Sequence, residues 1–173
     1  NIENQRAGIT LSAMGINGAQ MSQWAKWRQN WLGDLAQTQA DLVILAYGTN
    51  EAFNEKLDVR ETEQTWRNYI QQIKQALPNA GILVIGAPES LKTKAGDCGT
   101  RPAYLDAVQS MQMRVAQQEQ TLYWSWQDAM GGPCTARRWQ AEGLMAPDGV
   151  HFTPAGYARA ARQLADSLAR LAG

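Results

Sequence analysis

"DLVILAYG", residues 41–48, is a continuous apolar run bounded by turn residues. Such a run is the pattern of a strand buried on both faces, as in a parallel sheet covered by helices. A second run of the same kind, "GILVIGAP", occupies 81–88. Between and around them the period changes to that of helices. Trp66, Tyr69, Ile70, Ile73 and Leu77 form a stripe that stops before Pro78. Tyr104, Leu105, Val108, Met111 and Val115 mark another helix, and Tyr157, Ala161, Leu164, Leu168 and Leu171 a last one. That last helix is capped by Thr153, with Pro154 at its first position. Met21, Trp24, Trp27, Trp31 and Leu35 fall at helical spacing upstream. "GITLSAMGI" (8–16) reads as a short strand ending in a glycine-bearing turn, and "TLYWSW" (121–126) is strand-like by its aromatic and β-branched content. The alternation predicts an α/β layered fold on a parallel sheet with helices on both faces. Ligand sites in such sheets lie outside the carboxyl ends of the strands. Here those are the turns after Ile16, Tyr47, Ala87 and Trp126.

The bulk composition narrows the class. A chain of 173 residues builds one domain with a real core. Sixteen basic and sixteen acidic side chains leave no net charge, which argues against a surface that tracks nucleic-acid phosphates. No apolar run approaches membrane-spanning length, and no basic-then-apolar signal segment opens the chain. The opening "NIENQRAG" carries no initiator Met, so a processed or excised piece is expected. Neither Cys98 nor Cys134 sits in C-x-x-C, and a single histidine cannot complete a usual zinc set, so no metal is expected. Two Gly-flanked loop cysteines suggest a disulfide in an oxidising compartment; the alternative is two free thiols. Trp24, Trp27 and Trp31 could stack on sugar rings, but their helical spacing favours core packing.

Three places carry candidate chemistry. The only histidine, His151, lies in "DGVHFTPAGY" (148–157), three residues after Asp148. Asp148 is close enough to hold one ring nitrogen while the other faces a cleft as general base. The alternative is a surface Asp and a half-buried His before a helix cap. Asn50, in "YGTNEAF" (47–53), offers an amide donor where the most hydrophobic strand runs out, a natural oxyanion position. It could equally be a turn residue or cap. Gly18, in "GINGAQ" (15–20), could bring a bare backbone N–H to a ligand oxygen, or serve a turn that needs positive φ.

In this order and at these strand ends, the three resemble the SGNH (GDSL-type) hydrolases. That family has four short blocks: Gly-Asp-Ser with the nucleophile, a glycine, Gly-x-Asn, and Asp-x-x-His. By resemblance Gly18 matches the second block, Asn50 the third, and Asp148 with His151 the fourth. "GINGAQ", "ILAYGTNEAF" and "DGVHFTPAGY" look more narrowly like the bacterial peptidoglycan O-acetylesterase branch. The Asn of block three is often followed by Asp; here it is Glu51. The first block is missing. Gly-Asp occurs only as "GDL" (33–35) and "GDC" (96–98), both after Gly18, and Ser12, Ser22, Ser90, Ser110, Ser125 and Ser167 lack the Gly-Asp context.

The resemblance implies a three-layer α/β/α, flavodoxin-like domain over 1–173 that lacks its first strand. That strand, carrying Gly-Asp-Ser, is expected upstream of Asn1 and would fill a slot between 8–16 and 41–48. Related acetylesterases carry an extra module soon after the nucleophile block. The implied activity is serine ester hydrolysis removing O-acetyl groups from a cell-wall polysaccharide, in the periplasm or outside the cell, with no cofactor. Within the same chemistry the alternative is a lipid or thioester acylhydrolase. Outside it stands a non-catalytic carbohydrate-binding or acetyl-transfer accessory protein.

Overall fold

The computed structural model describes residues 8–26 and 29–172. Its centre is a parallel sheet of three strands in the order β1 (Leu42–Leu45), β2 (Gly81–Gly86), β3 (Leu122–Ser125). Leu42 stands opposite Gly81 and Leu83 opposite Leu122. Helices flank the sheet: α1 (Trp31–Gln37), α2 (Thr49–Phe53), α3 (Val59–Ala76), α4 (Leu105–Gln118), α5 (Trp126–Met130), α6 (Ala136–Ala141) and α7 (Pro154–Ala172). A 3-10 helix covers Met21–Lys26.

The apolar periods explain the packing. Trp66, Ile70 and Ile73 on α3 are fully buried against Leu45, Ile82 and Val84 of the sheet and against Leu105, Val108, Met111 and Val115 of α4 and its start. Burying side chains of this size stabilises by about 1.5–3 kcal/mol each. The start of α3 is fixed by Asp58, whose carboxylate accepts the N–H groups of Arg60 (2.9 Å) and Glu61 (3.0 Å). Such a cap contributes about 1 kcal/mol. Trp24 lies within this core, edge-on to Trp31 at 5.1 Å and donating to the Tyr47 hydroxyl at 2.9 Å. Trp24 and Trp31 therefore pack against protein, and Trp27 lies outside the described residues. A second cluster gathers Leu91, Met130, Ala136, Trp139, Met145 and Phe152 beneath the final loop.

One buried amide sets the carboxyl edge of the sheet. The Gln112 side chain, fully buried on α4, donates to the carbonyls of Tyr47 (2.8 Å) and Ile85 (3.3 Å) and accepts the Ala87 N–H at 2.9 Å. It locks the exits of β1 and β2 to one another. Gly48 follows at φ +117, and a Cβ there would meet the Gln112 amide at 2.8 Å, so only glycine fits this exit.

Three expectations are corrected. Residues 8–16 form no strand; they run irregularly, with Ile9 98% and Leu11 85% exposed. A strand exists through the ladder of a neighbour, and this segment has no such neighbour among the described residues. In place of the expected helix from Met21 to Leu35, the described residues show the 3-10 helix ending at Lys26 and α1 beginning at Trp31. β1 is not buried on both faces: Ile44 is 40% exposed, and among the described residues β1 pairs along one edge only, with β2. β2, central in the sheet, carries the both-face burial.

Candidate active site

The loop before α7 is held from several sides. The Asp148 carboxylate accepts the N–H groups of Val150 (2.8 Å) and His151 (2.9 Å) through Oδ1 and the His151 Nδ1–H through Oδ2 (2.7 Å). Burial pushes the Asp148 carboxyl up, but these bonds to His151 and Val150 outweigh it and hold the carboxyl at about 2, below the ordinary 3.8. Asp148 is therefore a carboxylate across the whole working range of an enzyme. With Nδ1 donating to Asp148, neutral His151 keeps its lone pair on Nε2. The ring is largely exposed.

Backbone bonds place this loop. Ala146 N–H donates to the His151 carbonyl (2.7 Å), and Met145 forms an antiparallel bridge with Phe152. The Thr153 N–H donates to the Leu144 carbonyl, and its hydroxyl donates to the Gly143 carbonyl. That hydroxyl also caps α7 by accepting the Gly156 N–H at 3.2 Å, as the sequence implies. Gly156 lies flush on the loop: a Cβ added there would stand 1.9 Å from the Leu144 carbonyl oxygen. Finally, Leu91 N–H donates to the Gly149 carbonyl at 2.8 Å, docking the loop on the segment that leaves β2.

The other two candidates come together on the exit of β1. Gly18, at φ +77, is the third residue of the turn closed by Ala19 N–H to the Ile16 carbonyl, a position that favours glycine. Asn50 Nδ2 donates to the Ala19 carbonyl (3.2 Å), and Gln20 Nε2 donates back to the Asn50 carbonyl (3.2 Å). The Asn50 amide spends one N–H in this way and has a second to offer. The structure thus joins Asp148 to His151, and the Gly18 turn to Asn50. Both pairs sit at the carboxyl edge of the sheet, where an ion pair between Glu55 and Lys92 connects the segments leaving β1 and β2.

Two residues have structural roles that the sequence did not disclose, although Glu51 stands out in it as the residue after the block-three Asn. Glu51, 1% exposed, follows Asn50 on α2. Burial pushes its carboxyl up, against the pull of N–H groups from Met21 and Gly48. The signal available was half of a capping box, a Glu three residues after the glycine that precedes α2. Gln112 had no signal beyond being a polar residue on an apolar stripe. Cys98 and Cys134 are disulfide-bonded, with Cα atoms 4.7 Å apart, tying the loop after β2 to the turn before α6. Cys134 N–H also donates to the buried Glu89 carboxylate at 3.0 Å.

The chain was compared with known proteins. Residues 3–159 match the GDSL-like lipase/acylhydrolase family. No curated protein sequence matches. A solved structure of a peptidoglycan O-acetylesterase is 62% identical and superposes with a TM-score of 0.91, over 92% of this chain and 46% of that one. The chain therefore spans less than half the length of that enzyme. A GDSL-like lipase structure from Parabacteroides merdae, at 21% identity, covers 86% of this chain and 68% of its own, with a TM-score of 0.68. An acetyl xylan esterase at 15% identity covers 89% and 78%, with a TM-score of 0.69. These last two carry likeness of fold alone.

Proposed function

The chain belongs to the GDSL-like lipase/acylhydrolase family, and from that premise we propose that it supplies the base and the oxyanion hole of an acetylesterase acting on O-acetylated peptidoglycan. The observation that carries the reading is the Asp148–His151 pair, bonded at 2.7 Å on a loop docked at the carboxyl edge of the sheet. The 62% identity to a peptidoglycan O-acetylesterase supports this choice of substrate. Gly18 N–H and the second N–H of Asn50 complete the site as oxyanion donors.

The nucleophile comes from a segment upstream of Asn1 carrying Gly-Asp-Ser. It seats as a strand beside β1, whose far edge has no partner among the described residues, and beside 8–16, whose apolar side chains it covers. With it the chain completes a single hydrolase domain. The serine Oγ attacks the acetyl carbonyl and His151 Nε2 takes its proton, while Asp148 steadies the imidazolium. Gly18 and Asn50 hold the tetrahedral oxyanion. Collapse breaks the ester bond, and the sugar hydroxyl leaves with the proton from His151. Water, deprotonated by His151, then attacks the acetyl-serine, releasing acetate and restoring the serine. Such an enzyme works in the bacterial envelope or outside the cell, where the Cys98–Cys134 bridge persists.

Acetate release from O-acetylated peptidoglycan by the protein with its upstream segment tests this directly. His151→Ala is expected to cut kcat/KM by about four orders of magnitude. Residues 1–173 alone are expected to release none through a serine. Full activity of the histidine variant would exclude the proposed base.

A further inference from the structure

We propose that Glu51 is a positioning residue for the oxyanion hole: its carboxylate clamps the turn carrying Gly18 to the turn carrying Asn50. This rests on the reading of those two residues as the oxyanion donors. Oε1 accepts the Met21 N–H at 2.8 Å and Oε2 accepts the Gly48 N–H at 3.0 Å. One group thus bonds backbone on both sides of the hole, three residues after Gly18 and two before Asn50. The clamp is buried, whereas the bonds between Asn50 and Ala19 and between Gln20 and Asn50 are only partly so.

The need for such a clamp follows from what surrounds Gly18. Ile16, two residues before it, is 68% exposed, and no strand among the described residues anchors 8–16. Oxyanion donors act only if they already stand about 2.7–3.1 Å from where the charge develops. A carboxylate has an acceptor for each of the two N–H groups. The isosteric amide of Gln has one acceptor oxygen and would set its own NH2 against the other N–H. Loosening the clamp therefore costs transition-state stabilisation more than substrate binding.

The test uses the protein with its upstream segment and an activated acetyl ester, measuring kcat and KM separately. Glu51→Gln is expected to lower kcat about 10- to 100-fold, by analogy with losing part of an oxyanion hole, with KM within about threefold. In an Asn50→Ala background the same change is expected to cost only about threefold, because coupled groups are not additive. Gln20→Ala, a partly exposed site that leaves the core untouched, is expected to lower kcat by about threefold and to show the same coupling to Asn50. It loosens the same two turns through the Gln20–Asn50 bond, and so tests whether their union sets kcat even if Glu51→Gln loses its cooperative melt. Losses that add fully across the cycle, or a kcat unchanged in Glu51→Gln, overturn the proposal. A wild-type protein without esterase activity overturns the reading of the site itself, and the role of Glu51 with it.

Discussion

The loop at 143–153 and the segment at 8–18 each carry a piece of the site, yet they are built in opposite ways. The first is pinned through bonds from Asp148, Thr153, Ala146 and Leu91. Of these, all but the Leu91 bond span ten residues or fewer. The second lies exposed until its last turn, where Asn50 and Glu51 reach it from about thirty residues away and Gln20 reaches back to Asn50. The difference teaches that a site can be half local and half borrowed. Asp148 orients His151 from three residues away along the chain, whereas the place of Gly18 depends on partners elsewhere in the fold.

The strongest attack on the local half is Asp148→Asn in the protein with its upstream segment. The Asn oxygen still accepts the Val150 and His151 N–H groups, so the loop survives, but the amide faces Nδ1 with a donor and forces the wrong tautomer. A loss of about 10³–10⁴ in kcat is expected, with cooperative unfolding retained. The pH dependence has a definite sign. The Asp148 carboxyl is depressed from 3.8 to about 2 in the fold, so what it contributes to stability is present above pH 4 and is lost as pH falls through 2. Its carboxyl carbon is expected to titrate near pH 2 by NMR, and an acid limb of activity above pH 4 then belongs to another group.

Next in size is the covalent tie beneath that loop. Cys98 and Cys134 are 36 residues apart, and a bridge closing a loop of that length is worth about 3–4 kcal/mol in the chain-entropy account. Reduction, or Cys98→Ser with Cys134→Ser, is expected to lower unfolding stability by that amount in a denaturant titration. A change under about 1 kcal/mol would mean that backbone bonds alone hold this half.

The smallest effect probes the borrowed half. Leu11→Asp in residues 1–173 alone is expected to change stability by less than about 0.5 kcal/mol, as for any exposed site. With the upstream strand joined, the same substitution is expected to cost about 2 kcal/mol or more, because Leu11 is then covered. Equal costs in both would argue that no strand covers it.

What was legible in the sequence follows the same division. β1 and β2 were readable as apolar runs, and α3 and α4 because each buries the face whose period the residues display. α7 was readable from its spacing, although Tyr157, Ala161 and Leu171 of that stripe are exposed. The cap at Thr153 was readable because it is local chemistry. The dyad was legible for that reason too. α2, α5 and α6 run only five or six residues, too short to show a period. The strand expected at 8–16 failed because residue content states a preference that only a neighbouring ladder can realise. The roles of Glu51 and Gln112 were not legible because a buried polar residue is justified by backbone groups brought near by the fold.

Gly156 gives the local half a further property. Alanine is the better helix former, so a designer seeking a stiffer α7 would choose Gly156→Ala among the first changes. The 1.9 Å clearance to the Leu144 carbonyl oxygen leaves no room for that methyl. The helix would have to tip away from Leu144, carrying Thr153 and the backbone of His151 with it. A single hydrogen atom is therefore the spacer that sets the bearing of the imidazole, and a change that improves the helix by every local rule would misaim the proposed base.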